Sequence, residues 1–64
     1  MSAERYSEVR GDWSILVWFY CRENGVDLWA YTANCLSARD SGIVKADNRH
    51  EAVDEAYEEI KRKV

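Results

Sequence analysis

The chain has 64 residues, of which 47% are hydrophobic and 33% charged, with a net charge of −3 and no proline. This composition predicts one folded domain over residues 1 to 64 and excludes a disordered tail. A chain of this length buries only roughly 60% of the surface that it exposes when unfolded. No apolar run approaches the ~20 residues of a membrane span, and the N-terminus shows no secretory signal, so we expect a cytoplasmic protein.

The N-terminal segment predicts a short helix over residues 2 to 10. Ala3, Tyr6 and Val9 recur at a spacing of three, which would place them along one side of a helix. Ser2 is a residue type that caps helix starts, and Gly11 is one that ends helices.

Asn24-Gly25 predicts a β-hairpin over residues 13 to 36, because this dipeptide favours a two-residue type I′ turn between apolar strand-like runs. The strands would span residues 13 to 22 and 26 to 36. In that register the numbers of facing residues sum to 49. The opposite charges of Arg22 and Asp27 then face each other, which supports the pairing.

This register assigns the hairpin side chains to two faces, because successive residues of a strand point to opposite sides. One face is aliphatic and contains Ile15, Val17, Phe19, Cys21, Leu28 and Ala30. The other is aromatic, with Trp18 facing Tyr31 and Tyr20 facing Trp29. We therefore expect a helix on the aliphatic face.

The remainder of the chain predicts a loop, a short strand and a helix. Residues 36 to 42 have a loop composition, and residues 43 to 46 form a third strand. A helix over residues 49 to 63 is predicted by Asn48 followed three positions later by Glu51, and by an apolar stripe. The stripe comprises Val53, Ala56, Tyr57, Ile60 and Val64. The predicted fold class is α+β, a three-stranded antiparallel sheet with the C-terminal helix on one face.

Catalytic and metal sites are not predicted. The only histidine, His50, has no visible nucleophile or orienting partner. Cys21 and Cys35 lie on opposite faces in the predicted register, so a disulfide is not expected, and they have no standard zinc spacing. We expect a protein that is not an enzyme and uses no metal or cofactor.

Residues 51 to 59 carry a local charge of −5, from five acids and no base. The acids are Glu51, Asp54, Glu55, Glu58 and Glu59. Carboxylates at helical intervals can mimic a row of phosphates for a basic, nucleic-acid-binding partner. Acids early in a helix also favour the helix dipole and form ordinary i, i+4 ion pairs. The sequence leaves both interpretations open.

The predicted aromatic face has three interpretations. Stacking on nucleic-acid bases is the weakest, because RNA-binding sheets are usually basic and this chain carries −3. The N-terminal segment could instead cover the face with Tyr6 and Val9. Left uncovered, the face would be a homodimer or partner interface rich in hot-spot residue types.

Residues 42 to 47 (GIVKAD) followed by residues 51 to 56 (EAVDEA) resemble the strand-to-helix segment of HicB-like antitoxins. At the level of class, the chain is similar to the small acidic phage proteins that block host defence, including anti-CRISPR proteins. That resemblance implies a non-enzymatic inhibitor that occupies the basic nucleic-acid-binding site of a larger protein, without binding nucleic acid or membrane itself. An antitoxin-like module that masks a toxin is the alternative. The expected contacts are the five acids and the aromatic residues Trp18, Tyr20, Trp29 and Tyr31.

Overall fold

A computed structural model describes residues 4 to 63, which form four strands and a helix. The elements are β1 (Arg5–Arg10), β2 (Trp13–Glu23), β3 (Val26–Asn34), β4 (Arg39–Lys45) and α1 (Arg49–Lys63). The strands pair in chain order, each antiparallel to the next, and α1 contacts all four. The α+β layout of sheet and C-terminal helix holds, but the predicted three-stranded sheet is wrong because β1 adds a fourth strand.

The predicted N-terminal helix is wrong wherever the structure describes that segment, since Arg5–Arg10 is a strand paired with β2. Residues 2 and 3 of the prediction lie outside the described residues. The segment also alternates, with Tyr6 half-buried between exposed neighbours, and this period of two is the one realised. Gly11 has a φ of 59° and opens a two-residue turn in which Arg10 faces Trp13. It is therefore a hairpin residue and does not end a helix.

The turn of the central hairpin is confirmed, because both Asn24 (φ 53°) and Gly25 (φ 77°) have the positive φ that a type I′ turn requires. The three pairs nearest the turn also follow the predicted register, Arg22 with Asp27 included. Beyond them, a β-bulge at Tyr20 changes the sum of paired residue numbers from 49 to 48.

The bulge makes the predicted aromatic pairs wrong. Trp18 faces Ala30, and Tyr31 faces Val17. Trp29 faces Phe19, with the two rings edge to face at 5.9 Å. A one-residue shift brings the opposite set of β3 side chains beside each β2 side chain. The predicted division into an aliphatic and an aromatic face is therefore wrong.

Strand β4 begins inside the predicted loop of residues 36 to 42 and is longer than the predicted strand of residues 43 to 46. Asn34 pairs with Arg39, so only four residues connect β3 and β4. The polar residues that suggested a loop belong to a strand with one exposed side. Polar composition alone does not distinguish these two structures.

The C-terminal helix is confirmed at the predicted limits, residues 49 to 63. The side-chain oxygen of Asn48 accepts a hydrogen bond from the backbone N–H of Glu51 at 2.9 Å, which caps the first turn. Val53, Ala56 and Ile60 are buried, as the apolar stripe predicts, and Val64 lies outside the described residues. Within residues 4 to 63, no helix has the length and hydropathy to cross a membrane.

The core lies between α1 and one side of the sheet. That side combines aliphatic residues of β2 with aromatic and small residues of β3, which the shifted register brings together. The core residues are Ile15, Val17, Tyr31, Ala33, Val44, Ala46, Ala52, Val53, Ala56 and Ile60. No described element packs on the opposite side of the sheet.

Candidate functional site

The outward side of α1 carries the predicted acidic surface. Burial of Ala52, Val53, Ala56 and Ile60 against the sheet turns the opposite side of the helix to solvent. The exposed carboxylates on that side belong to Glu51, Asp54, Glu55 and Glu58, while Glu59 is half-buried at its border. We call these five residues the acidic helix face.

Three of the five acids form ion pairs. Asp54 accepts a hydrogen bond from Arg10 of β1, which also bonds Glu8 at 3.1 Å. Glu58 pairs with Lys61 at 2.8 Å, and Glu59 pairs with Arg62 at 3.0 Å. Among the described residues, Glu51 and Glu55 make no ion pair. The charge displayed by this face is therefore smaller than the −5 of the sequence, and Glu51 and Glu55 are its uncompensated members.

The pKa values reflect this pairing. The hydrogen bond from Lys61, with its positive charge, lowers the pKa of Glu58. The hydrogen bond to Asp54 raises the pKa of Arg10, opposed by desolvation. Both effects favour the charged forms of acid and base at neutral pH.

The four predicted aromatic contacts do not form one surface. Tyr31 is 1% exposed and Trp29 is half-buried, and both contact the core beneath α1. The indole N–H of Trp29 donates to the carbonyl of Ala46 at 3.0 Å. Trp18 lies on the side of the sheet that faces away from the helix, and Tyr20 is 60% exposed at the bulge. Tyr31 is therefore inaccessible to a partner, and the half-buried Trp18 and Trp29 lie on opposite sides of the sheet.

The Tyr31 hydroxyl belongs to a polar cluster that the sequence analysis missed. It donates to a carboxylate oxygen of Asp40 at 2.8 Å, and the ammonium group of Lys63 donates to both oxygens of that carboxylate at 3.1 Å. The bond from Tyr31 lowers the pKa of Asp40, whereas burial raises the pKa of Tyr31. The cluster ties β3, β4 and the last turn of α1 together. Its sequence signal was hidden because Asp40 was predicted to lie in a loop.

The side of the sheet away from α1 is a second surface, which we call the open face. Its residues lie in cross-strand rows that the register defines. They are Arg5, Ser7 and Val9 of β1, Ser14, Leu16, Trp18, Cys21 and Glu23 of β2, Val26, Leu28, Ala30, Thr32 and Asn34 of β3, and Arg39, Ser41, Ile43 and Lys45 of β4. Ile43 is 48% exposed and Val9 is 69% exposed. Most of this face was not predictable from the sequence, because the predicted register placed Trp18 on one surface with Tyr31.

A cavity of about 440 Å³ lies beside the start of α1. The Tyr6 hydroxyl is 3.3 Å from Nδ1 of His50, and the Arg49 guanidinium lies over the Tyr6 ring at 4.8 Å. The lining residues are Glu4, Arg5, Tyr6, Trp29, Asn48, Arg49 and His50. This set contains no serine, threonine or cysteine that His50 could activate.

Comparison of the chain with protein-family models, with curated proteins and with solved structures gave no match.

Proposed function

We propose that this protein is a non-enzymatic inhibitor that binds a larger, basic, nucleic-acid-binding protein through the acidic helix face and blocks its site. The observation that carries the proposal is the position of Glu51 and Glu55. Both carboxylates are exposed one helical turn apart on the outward side of α1, and neither forms an ion pair within the described residues.

The ion-paired acids can contribute as well. Within residues 4 to 63, Glu58 and Glu59 pair only with exposed bases on their own helix, three residues away. Exposed pairs of this kind contribute little to folding and exchange partners readily. A partner arginine can therefore replace Lys61 or Arg62. Asp54 has a different role, because its bond to Arg10 attaches α1 to β1.

The acidic helix face would act by electrostatic complementarity. A row of carboxylates attracts a basic cleft over several ångströms, accelerates association, and sets the register of docking. In its most concrete form the protein is a phage anti-CRISPR or other anti-defence inhibitor that acts in the host cytoplasm. A toxin gene beside its coding sequence would instead favour the antitoxin-like alternative.

The proposal is tested by capture from a lysate of the organism in which the protein acts. The tagged wild type and the variant E51Q/E55Q are immobilised, and the retained proteins are identified by mass spectrometry. Glutamine keeps the size and nearly the helix propensity of glutamate, so the fold is retained while two charges are lost. We expect the wild type to retain a nucleic-acid-binding protein and E51Q/E55Q to lose it.

The matched control is E4Q/E23Q, which removes two exposed carboxylates outside α1. This variant should retain the partner, because neither of its two charges belongs to the acidic helix face. Equal retention by wild type and E51Q/E55Q would contradict the proposal, as would a partner without a basic surface.

A further inference from the structure

The open face has an ordered distribution of apolar and polar residues. One cross-strand row contains Arg5, Trp18, Ala30 and Ile43. The next row is polar except for Leu16, and it contains Ser7, Thr32 and Ser41. An apolar strip of Trp18, Ala30 and Ile43, in which Ala30 is only 6% exposed, therefore lies beside a strip of hydroxyl groups.

Three of the four charges that the register places on the open face are positive. Arg5 lies on the outer edge of β1, and Arg39 and Lys45 lie at the two ends of β4. Glu8, Asp27 and Asp40 occupy positions on the helix side of the sheet. Glu23 pairs with Val26 on the side of the open face and lies at the hairpin tip, at the end of β2.

The guanidinium of Arg5 lies 5.3 Å from the centre of the Trp18 ring. This is a cation–π pair, and both groups are planar. Nucleic-acid bases stack on aromatic rings and on arginine planes alike. Arg5 and Trp18 therefore form a stacking platform in the same cross-strand row as the exposed Ile43.

We propose that the open face binds single-stranded nucleic acid. Bases would stack on the Arg5–Trp18 pair and on the apolar strip, while Arg39 and Lys45 would contact phosphates. Four strands at a spacing of about 4.8 Å span roughly 14 Å. That width suits the two or three bases that other four-stranded RNA-binding sheets accommodate.

A second copy of the chain fits this face less well. Face-to-face pairing would bring Arg5, Arg39 and Lys45 from each copy into one interface, where Glu23 at the hairpin tip compensates at most one of these three charges. Like charges brought together in an interface are unfavourable.

The net charge of −3 does not oppose this inference, because the five acids of the acidic helix face lie on α1, across the sheet from Arg5, Arg39 and Lys45. The shortest dimension of the molecule is 15 Å. The Debye length at physiological ionic strength is about 8 Å, so the acidic helix face is largely screened from a ligand on the open face. The inference rests on the open face alone and is independent of the proposed inhibitor function.

Fluorescence anisotropy with fluorescein-labelled ten-nucleotide poly(U) and poly(dT) tests the inference at 50 mM and 200 mM salt. The wild type should bind, and binding should weaken as salt rises. R39Q/K45Q should lower the affinity about tenfold or more and reduce the salt slope by about 1.4, because each lost phosphate contact on a single strand contributes about 0.7. W18L should weaken binding about tenfold with an unchanged salt slope, since stacking is lost but the charges remain.

K61Q/R62Q is the matched control, because it removes two positive charges from α1 and leaves the open face intact. It should retain the affinity of the wild type for both oligonucleotides. E51Q/E55Q should retain it too, which separates this surface from the acidic helix face. Circular dichroism establishes whether each variant is folded. Arg39 and Lys45 are exposed, so R39Q/K45Q should fold and still tests the inference if W18L does not fold.

Three results would overturn the inference. The first is no binding of either oligonucleotide at 50 mM salt. The second is an equal loss of affinity in R39Q/K45Q and K61Q/R62Q, which would indicate general charge attraction. The third is a wild-type dimer in sedimentation velocity that W18L converts to monomer, which would identify a second copy as the occupant.

Discussion

At the residue scale, Asp40 joins the sheet to the end of the helix. Its carboxylate accepts hydrogen bonds from the buried Tyr31 hydroxyl and from the Lys63 ammonium group. Without that carboxylate the Tyr31 hydroxyl would keep only its longer contact with Lys63, at 3.4 Å. A buried hydroxyl that loses its partner is destabilising.

We expect D40N to lower the free energy of unfolding by about 1 kcal/mol at pH 7, because hydrogen bonds to a charged acceptor are stronger than those to an amide. The pKa of Asp40 is below its ordinary value of 3.8 in the folded protein. The contribution of Asp40 to the free energy of unfolding is therefore complete above pH 3.8 and is lost as the pH falls through the folded-state pKa. Denaturant unfolding of wild type and D40N at pH 7 and pH 2 measures the difference.

The exposed acid Asp47 supplies the control. The free energy of unfolding of D47N should differ little from that of the wild type at either pH. A D40N variant as stable as wild type at pH 7, or a deficit that persists unchanged at pH 2, would contradict the role assigned to Asp40.

At the element scale, the stability of the two layers depends on α1, because every fully buried helix residue faces the sheet. Val53 and Ile60 are at most 1% exposed and lie in the core with Ile15 and Val17. A chain of 64 residues has little other apolar surface to bury.

We expect I60A and V53A each to cost about 1 to 4 kcal/mol of unfolding free energy, the usual range for core truncation. V9A truncates a residue that is 69% exposed and should cost less than about 0.5 kcal/mol. Urea denaturation of I60A, V53A and V9A measures these differences in unfolding free energy. If both core variants were as stable as the wild type, the packing of α1 on the sheet would not stabilise the fold.

The sequence was sufficient to predict α1 and the central turn, because their signals are local. Asn48 caps the helix, and Asn24-Gly25 requires positive φ at both turn positions. It was insufficient to predict the bulge at Tyr20, since no residue type demands one there. That single unpaired residue moved Trp29 and Tyr31 out of the predicted partner-binding surface and into the core.

Deleting Tyr20 should remove the bulge without changing which side chains share a face. Phe19 faces Trp29 and Cys21 faces Leu28, so removing the residue between them leaves a regular ladder with the same faces. The deletion variant should fold, with a free energy of unfolding within about 1 kcal/mol of the wild-type value. Deleting Thr32 from the regular part of β3 should unfold the protein, because every later side chain of that strand would change face. Circular dichroism and urea melts of both deletions check the prediction, which would be wrong if the Tyr20 deletion also unfolds.

At the scale of the whole molecule, the fold separates two chemically different surfaces. The acidic helix face lies on one side, and the open face, with Arg5, Arg39 and Lys45, lies on the other. The sequence was sufficient to place the five acids on one helix, because they are close together along the chain. It missed the open face because that surface is assembled from four strands, one of which was predicted to be a helix and another largely a loop.

The central claim is that the acidic helix face blocks a nucleic-acid-binding site, and the most direct test is displacement. The protein captured by the wild type is loaded with labelled nucleic acid, and the release of the label is followed as wild type, E51Q/E55Q or E4Q/E23Q is added. We expect wild type and E4Q/E23Q to release the label at equal concentrations, and E51Q/E55Q to require at least about tenfold more, with the difference shrinking as salt rises. Release by E51Q/E55Q at the wild-type concentration in low salt, or no release by the wild type at any concentration, would contradict the claim.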